Sequence, residues 1–134
     1  RILHFFPEEM HGQLFMDLSL NLRGIVAQQL IKRSDGRGRY PAVEVLINTP
    51  LASDLIRKGE VNKLKDLMKQ SREQGMQTFD QALYDLYVAG KIGYEEALNA
   101  ADSRNEVRLM IKLSSENAVN FTDMDDGLHL VEQE

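Results

Sequence analysis

Ser34-Asp35-Gly36-Arg37-Gly38 lies between two apolar runs, and it restricts this chain more than any other feature. Asp-Gly accepts the positive φ that tight hairpin turns demand. The segment therefore predicts a β-hairpin over about 29–47, with strands over about 29–33 and Tyr40–Ile47. Pro41 is tolerable near a strand start or on an edge. Val43, Val45, Leu46 and Ile47 form a nearly continuous bulky run, so burial of the second strand on both faces is expected.

The rest of the chain has helical spacing. Met10, Leu14, Phe15, Leu18 and Leu22 recur every three or four residues, and this helix is expected to run from Pro7 to about Ala27. Thr49-Pro50 reads as N-cap and first helical residue, and Gly59 as the stop. Val61, Leu64, Leu67 and Met68 give the next apolar stripe, closed by Gly75. Thr78 with Gln81 fits a capping box before Phe79, Leu83, Leu86 and Tyr87. Short helices follow around Tyr94–Ala101 and Val107–Ile111. The predicted class is mainly α with a short β-hairpin, within one compact unit of ordinary domain length. After Leu113 the spacing turns irregular, so 114–134 is expected to be a flexible acidic tail with at most a marginal helix.

Charge narrows the chemistry. The chain has 16 basic and 21 acidic residues, a net charge of -5. Residues 114–134 contain six acids and no Lys or Arg, so 1–113 hold 16 basic against 15 acidic residues. That balance does not suit a nucleic-acid partner. Residues 57–72 carry a local +4, residues 80–106 a local -4, and the hairpin tip +3. Opposed stretches of this kind would suit contact between subunits. No cysteine is present, so disulfides and thiolate chemistry are excluded. No phosphate-loop motif exists: Gly90-Lys91 is followed by Ile92, and Asp85 stands where the leading Gly belongs. His4, His11 and His129 lack ligand partners at metal-site spacing. Asp123-Met124-Asp125-Asp126-Gly127 is a poor calcium loop, because Gly127 and Leu128 fall where an oxygen ligand and a Gly are required. No catalytic, metal or cofactor-binding residue is assigned. No apolar stretch is long enough to span a bilayer, no signal peptide is recognisable, and a cytoplasmic location is the expectation. The chain starts at Arg1, which reads as a segment of something longer.

Several segments then resemble a known family. Leu22-Arg23-Gly24-Ile25-Val26-Ala27-Gln28-Gln29-Leu30 and Glu44-Val45-Leu46-Ile47-Asn48-Thr49-Pro50 are similar to the last subdomain of type IV pilus and type II secretion motor ATPases. Gly75-Met76-Gln77-Thr78-Phe79-Asp80-Gln81-Ala82-Leu83 resembles the Gly-Met-Gln-Thr segment of the pilus retraction ATPases, and Ser103-Arg104-Asn105-Glu106-Val107-Arg108-Leu109-Met110-Ile111-Lys112 supports the accessory branch of that family. The resemblance covers nearly all of 1–113. It implies the C-terminal portion of a RecA-like α/β motor domain, from a hexamer that drives pilus retraction at the cytoplasmic face of the bacterial inner membrane. It further implies ATP and Mg for the parent, bound by motifs upstream, and a segment that is inactive alone. A PilT-like ATPase and the inner-membrane pilus platform are the implied partners.

One retraction motif of the family aligns with Leu51-Ala52-Ser53-Asp54-Leu55-Ile56-Arg57-Lys58. Leu55, Ile56 and Arg57 keep its Leu-Ile-Arg core, while Ser53 replaces its first Arg and Lys58 its final Glu. Leu55 and Ile56 are expected to pack inward, and Arg57, beside Ser53 and Asp54, to make contacts. The alternative reading is a free-standing helical interaction module. A metal-dependent enzyme finds no ligand cluster to support it.

Overall fold

The computed structural model describes the backbone of residues 2–128 and the side chains of residues 2–117. Short 3-10 turns at Ile2–Phe5 and Glu8–Met10 precede α1 (His11–Asn21). Two strands follow, β1 (Gly24–Lys32) and β2 (Arg39–Ile47), then α2 (Pro50–Lys58) and α3 (Val61–Gln70). The last elements are α4 (Phe79–Val88), α5 (Tyr94–Ala100) and α6 (Arg104–Leu128). The mainly helical class with one antiparallel hairpin holds.

Local signals set most boundaries. Thr49 accepts the Ala52 amide at 3.2 Å, with Pro50 opening α2. Thr78 Oγ1 accepts the Gln81 amide at 3.2 Å, and Gln81 Oε1 accepts the Thr78 amide at 3.1 Å, completing the capping box. At the hairpin tip Asp35 Oδ1 accepts the Arg37 amide at 2.8 Å, and the Arg33 amide closes on Gly38 O at 3.0 Å.

Three expectations are corrected. The first helix starts at His11 and stops at Asn21, and β1 begins at Gly24, where a helix was expected to run on to Ala27. The β-branched pair Ile25-Val26 stands opposite Leu46 and Val45 in the hairpin, a partner too distant in sequence for a local pattern to reveal. Gly24 itself meets Leu46 O so closely that a Cβ would lie 2.9 Å from it. Second, β2 is not buried on both faces. Ala42 and Leu46 are buried, Val43 and Val45 are half-buried, and Ile47 is exposed. Among the described residues only one face of the hairpin is covered by helices. Third, the short helix expected around Val107–Ile111 runs from Arg104 to Leu128. Residues 129–134, with His129, lie outside the described residues, as do the side chains of the 123–127 acidic run.

A lone two-stranded ribbon is marginal in water and needs a packed layer. Two clusters supply it. Ile31 and Ala42 of the hairpin pack with Ala82, Leu83, Ile92, Ala97, Leu98 and Val107. Leu46 packs with Ala52, Ile56, Met68 and Met76. Within α2, Ala52 faces the core while Leu51 is exposed, and in α3 Val61 is exposed. On the hairpin's other face Val26 is 72% exposed and Leu30 52%, and the outer edge of β1 has no strand partner among the described residues. No described helix is long and apolar enough to cross a membrane.

Candidate interaction surface on α2 and its supporting junction

The motif residues split cleanly by side. Leu55 and Ile56 are 9% and 8% exposed. Ile56 belongs to the Leu46–Met76 cluster. Leu55 lines an apolar cavity of about 160 Å³ between α1, α2 and α3, together with Phe15, Leu18 and Leu22. Ser53 Oγ donates to Ser19 O at 2.7 Å, fastening α2 to α1. Asn48 Nδ2 reinforces that seam by donating to Leu22 O at 2.8 Å and Ser19 O at 3.2 Å.

The outward side is ionic. Asp54 takes Arg57 Nη2 at 2.7 Å and Lys58 Nζ at 2.8 Å. The Lys58 and Arg57 hydrogen bonds hold the Asp54 carboxyl below its ordinary range. Arg57 remains 49% exposed on its side chain, so its guanidinium is both oriented and accessible. Exposed pairs of this kind contribute about 0–1 kcal/mol, so their use here is orientation more than stability. Where the family motif ends in Glu, Lys58 gives Asp54 a second cation.

Gly75, Met76, Gln77 and Thr78 form a structural junction. Gly75 turns the chain at φ 93°, a conformation that side chains resist, with Ile47 Cδ1 at 3.4 Å from a would-be Cβ. Met76 is 1% exposed in the α2 cluster. Gln77 adds a single rung to the free side of β2: Val45 N donates to its carbonyl at 2.8 Å and its own amide donates to Val45 O at 3.0 Å. Its side-chain Nε2 also donates to Val43 O at 2.8 Å. Thr78 then caps α4. Four consecutive residues thus join α3, β2 and α4.

Sequence reasoning missed a second clamp. Asp80, 5% exposed, accepts the Asp102 amide at 2.9 Å and the Ser103 amide at 3.1 Å, tying the start of α4 to the turn before α6. Burial raises its pKa, and the two amides oppose that shift. Glu44, on the covered face of the hairpin, is raised as well, by burial first and by the Asp102 charge second. Both carboxyls hold a proton more tightly folded than unfolded. Stability therefore rises as pH falls from neutral into the window just above the ordinary carboxylate range. Glu44→Gln removes the cost of burying the charge. It is expected to raise Tm at pH 7 by roughly 2 °C, and to flatten the pH 7 to 5 stability slope followed by calorimetry.

The opposed charge stretches meet inside the chain. Lys65 pairs with Asp102 at 3.2 Å, Lys69 with Glu106 at 2.6 Å and Arg72 with Asp85 at 2.5 Å. Three basic residues of 57–72 thus pair within the chain with acids of 80–106, tying α3 and the turn after it to the α5–α6 turn, to α6 and to α4.

Gly90-Lys91 follows the C-terminal end of α4, the negative end of that helix, opposite to what phosphate needs. His4 and His11 join no group of three metal-ligating side chains among the described residues. His11 Nε2 instead lies 3.0 Å from both Leu3 O and Phe6 O.

The helical layer packed on one hairpin is a fold shared with a class of protein, the pilus motor ATPases. The chain is 64% identical over 131 residues to the type IV pilus ATPase PilU of Pseudomonas aeruginosa, covering 97% of this chain and 34% of that protein. It is 35% identical over 101 residues to the retraction ATPase PilT of the same organism, 75% of this chain and 29% of PilT. Its fold matches the crystal structure of the retraction motor PilT with bound ADP at TM-score 0.65 and 35% identity, over 79% of this chain and 29% of that one. No family model matches. The chain is a partial relative of the type IV pilus retraction ATPases, and it spans about a third of the length of the curated relatives it matches.

Proposed function

We propose that this chain is the C-terminal segment of a hexameric motor ATPase that powers type IV pilus retraction in twitching motility. The segment transmits motion and contacts subunits or partners, and it does not hydrolyse ATP by itself. Residues 1–113 are the motor-domain portion, and 114–134 form an acidic extension of it. The parent binds ATP and Mg through residues outside this chain. It works at the cytoplasmic face of the inner membrane, beside a PilT-like ATPase and the pilus platform.

The observation that carries the reading is the division of α2. Leu55 and Ile56 anchor the helix in the core, and Asp54 presents Arg57 to the exterior. Such a helix can deliver a contact without taking part in bond breaking. Arg57→Ala in the full-length parent is expected to cut retraction, scored by twitching zones, at least about fivefold while ATP turnover stays within about twofold. Loss of turnover in a correctly folded variant would contradict the assignment.

A further inference from the structure

With Lys65, Lys69 and Arg72 paired to Asp102, Glu106 and Asp85, two further charge concentrations of opposite sign stand out. The first is the hairpin tip. Asp35 is the only acid in the loop, and it is occupied by Arg33 Nη2 at 2.7 Å and the Arg37 amide at 2.8 Å. Lys32, Arg37 and Arg39 make no ion pair among the described residues, and all three are exposed.

The α4–α5 turn brings a fourth such cation to the same place. Ser34 N donates to Lys91 O at 3.0 Å, and Ser34 Oγ donates to Gly90 O at 2.9 Å. Lys91 Nζ and Arg33 Cζ lie 5.2 and 4.7 Å from the Tyr40 ring centroid. Tyr40 thereby gathers cations from two elements into one patch, which cation–π attraction favours. The second concentration is the C-terminal stretch, with Glu116, Asp123, Asp125, Asp126, Glu132 and Glu134 and no basic residue.

We propose that the hairpin tip binds the acidic 116–134 segment of a neighbouring copy of this chain. Charge complementarity selects the occupant. Four unpaired cations face a segment of six carboxylates, and among the described residues Glu116 is reached only by Lys112, at 3.9 Å. The continuity of α6 through Leu128 selects a neighbour over the same chain, because an unbroken helix does not fold back onto its own hairpin. The contact is peripheral and ionic, so it is fast, weak and salt-sensitive. It stands on the charges alone and does not depend on the retraction reading.

A fluorescein-labelled peptide of residues 114–134, titrated with the full chain and read by anisotropy, tests the proposal. Saturable binding is expected at about 50 mM NaCl, weakened at least about tenfold at 500 mM. The double variant Arg37→Glu/Arg39→Glu is expected to abolish it, and Lys63→Glu, on the outer side of α3, to leave it within about twofold. Sedimentation equilibrium of the full chain is expected to show self-association that the same double variant removes. No salt-sensitive peptide binding, or equal loss in Lys63→Glu, overturns the proposal. Binding of the patch to phosphatidylglycerol vesicles but not to the peptide overturns it in favour of a membrane surface. Peptide binding by a chain that stays monomeric at every concentration overturns the assignment to a second copy.

Discussion

Met76→Ala is expected to lower the unfolding free energy by about 3 kcal/mol. The side chain is 1% exposed and packs with Leu46, Ala52, Ile56 and Met68. Truncation removes the apolar burial and leaves a cavity that fixed backbone on both sides keeps from collapsing. Gly75 at φ 93° and the Gln77 rung on Val45 fix that backbone. Met76→Leu nearly conserves volume and should cost less than about 1.5 kcal/mol. Urea unfolding followed by far-UV circular dichroism separates the two, and a loss below about 1 kcal/mol for alanine would show that the junction relaxes around the gap. The consequence reaches α2, because Met76 shares its cluster with Ile56, next to Arg57. A loosened Met76 would blur the aim of the exposed guanidinium without touching it.

Asp80→Ala is expected to cost about 2–4 kcal/mol, since it leaves the Asp102 and Ser103 amides without their acceptor. Asp80→Asn keeps one acceptor oxygen but turns an NH2 toward the other amide, so roughly half that loss is expected. Amide hydrogen exchange should show the first turn of α6 opening first in both variants. Unchanged exchange there would mean that α6 is held by Val107 and Ile111 alone. Opposing this cost is the burial of the Asp80 charge, which the pH profile exposes: the alanine variant should lose part of the stabilisation otherwise gained on mild acidification.

What the sequence made legible is the local chemistry. Thr49-Pro50, Thr78 with Gln81, and Asp35-Gly36 each satisfy their own backbone within three residues, so their signals are readable without a partner. The inward packing of Leu55 and Ile56 follows from helical spacing alone. The unreadable parts depend on contacts across the chain. Ile25-Val26 becomes strand because Leu46 and Val45 lie opposite. The Asp80 clamp spans 22 residues. The ion pairs of α3 reach 37 residues in the case of Lys65 and Asp102, a partner that no local charge pattern names. The signature glycine-to-threonine segment was identified by resemblance, and only the fold explains it, as a joint between three elements.

The outer edge of β1 has one more consequence. Along nine residues of strand, roughly 30 Å of backbone, alternate amides and carbonyls face outward with no strand partner among the described residues, beside the uncovered side chains of Val26 and Leu30. Such an edge templates pairing with any other extended chain. A lysine placed at Val26 or Leu30 would blunt that template without touching the covered face of the hairpin.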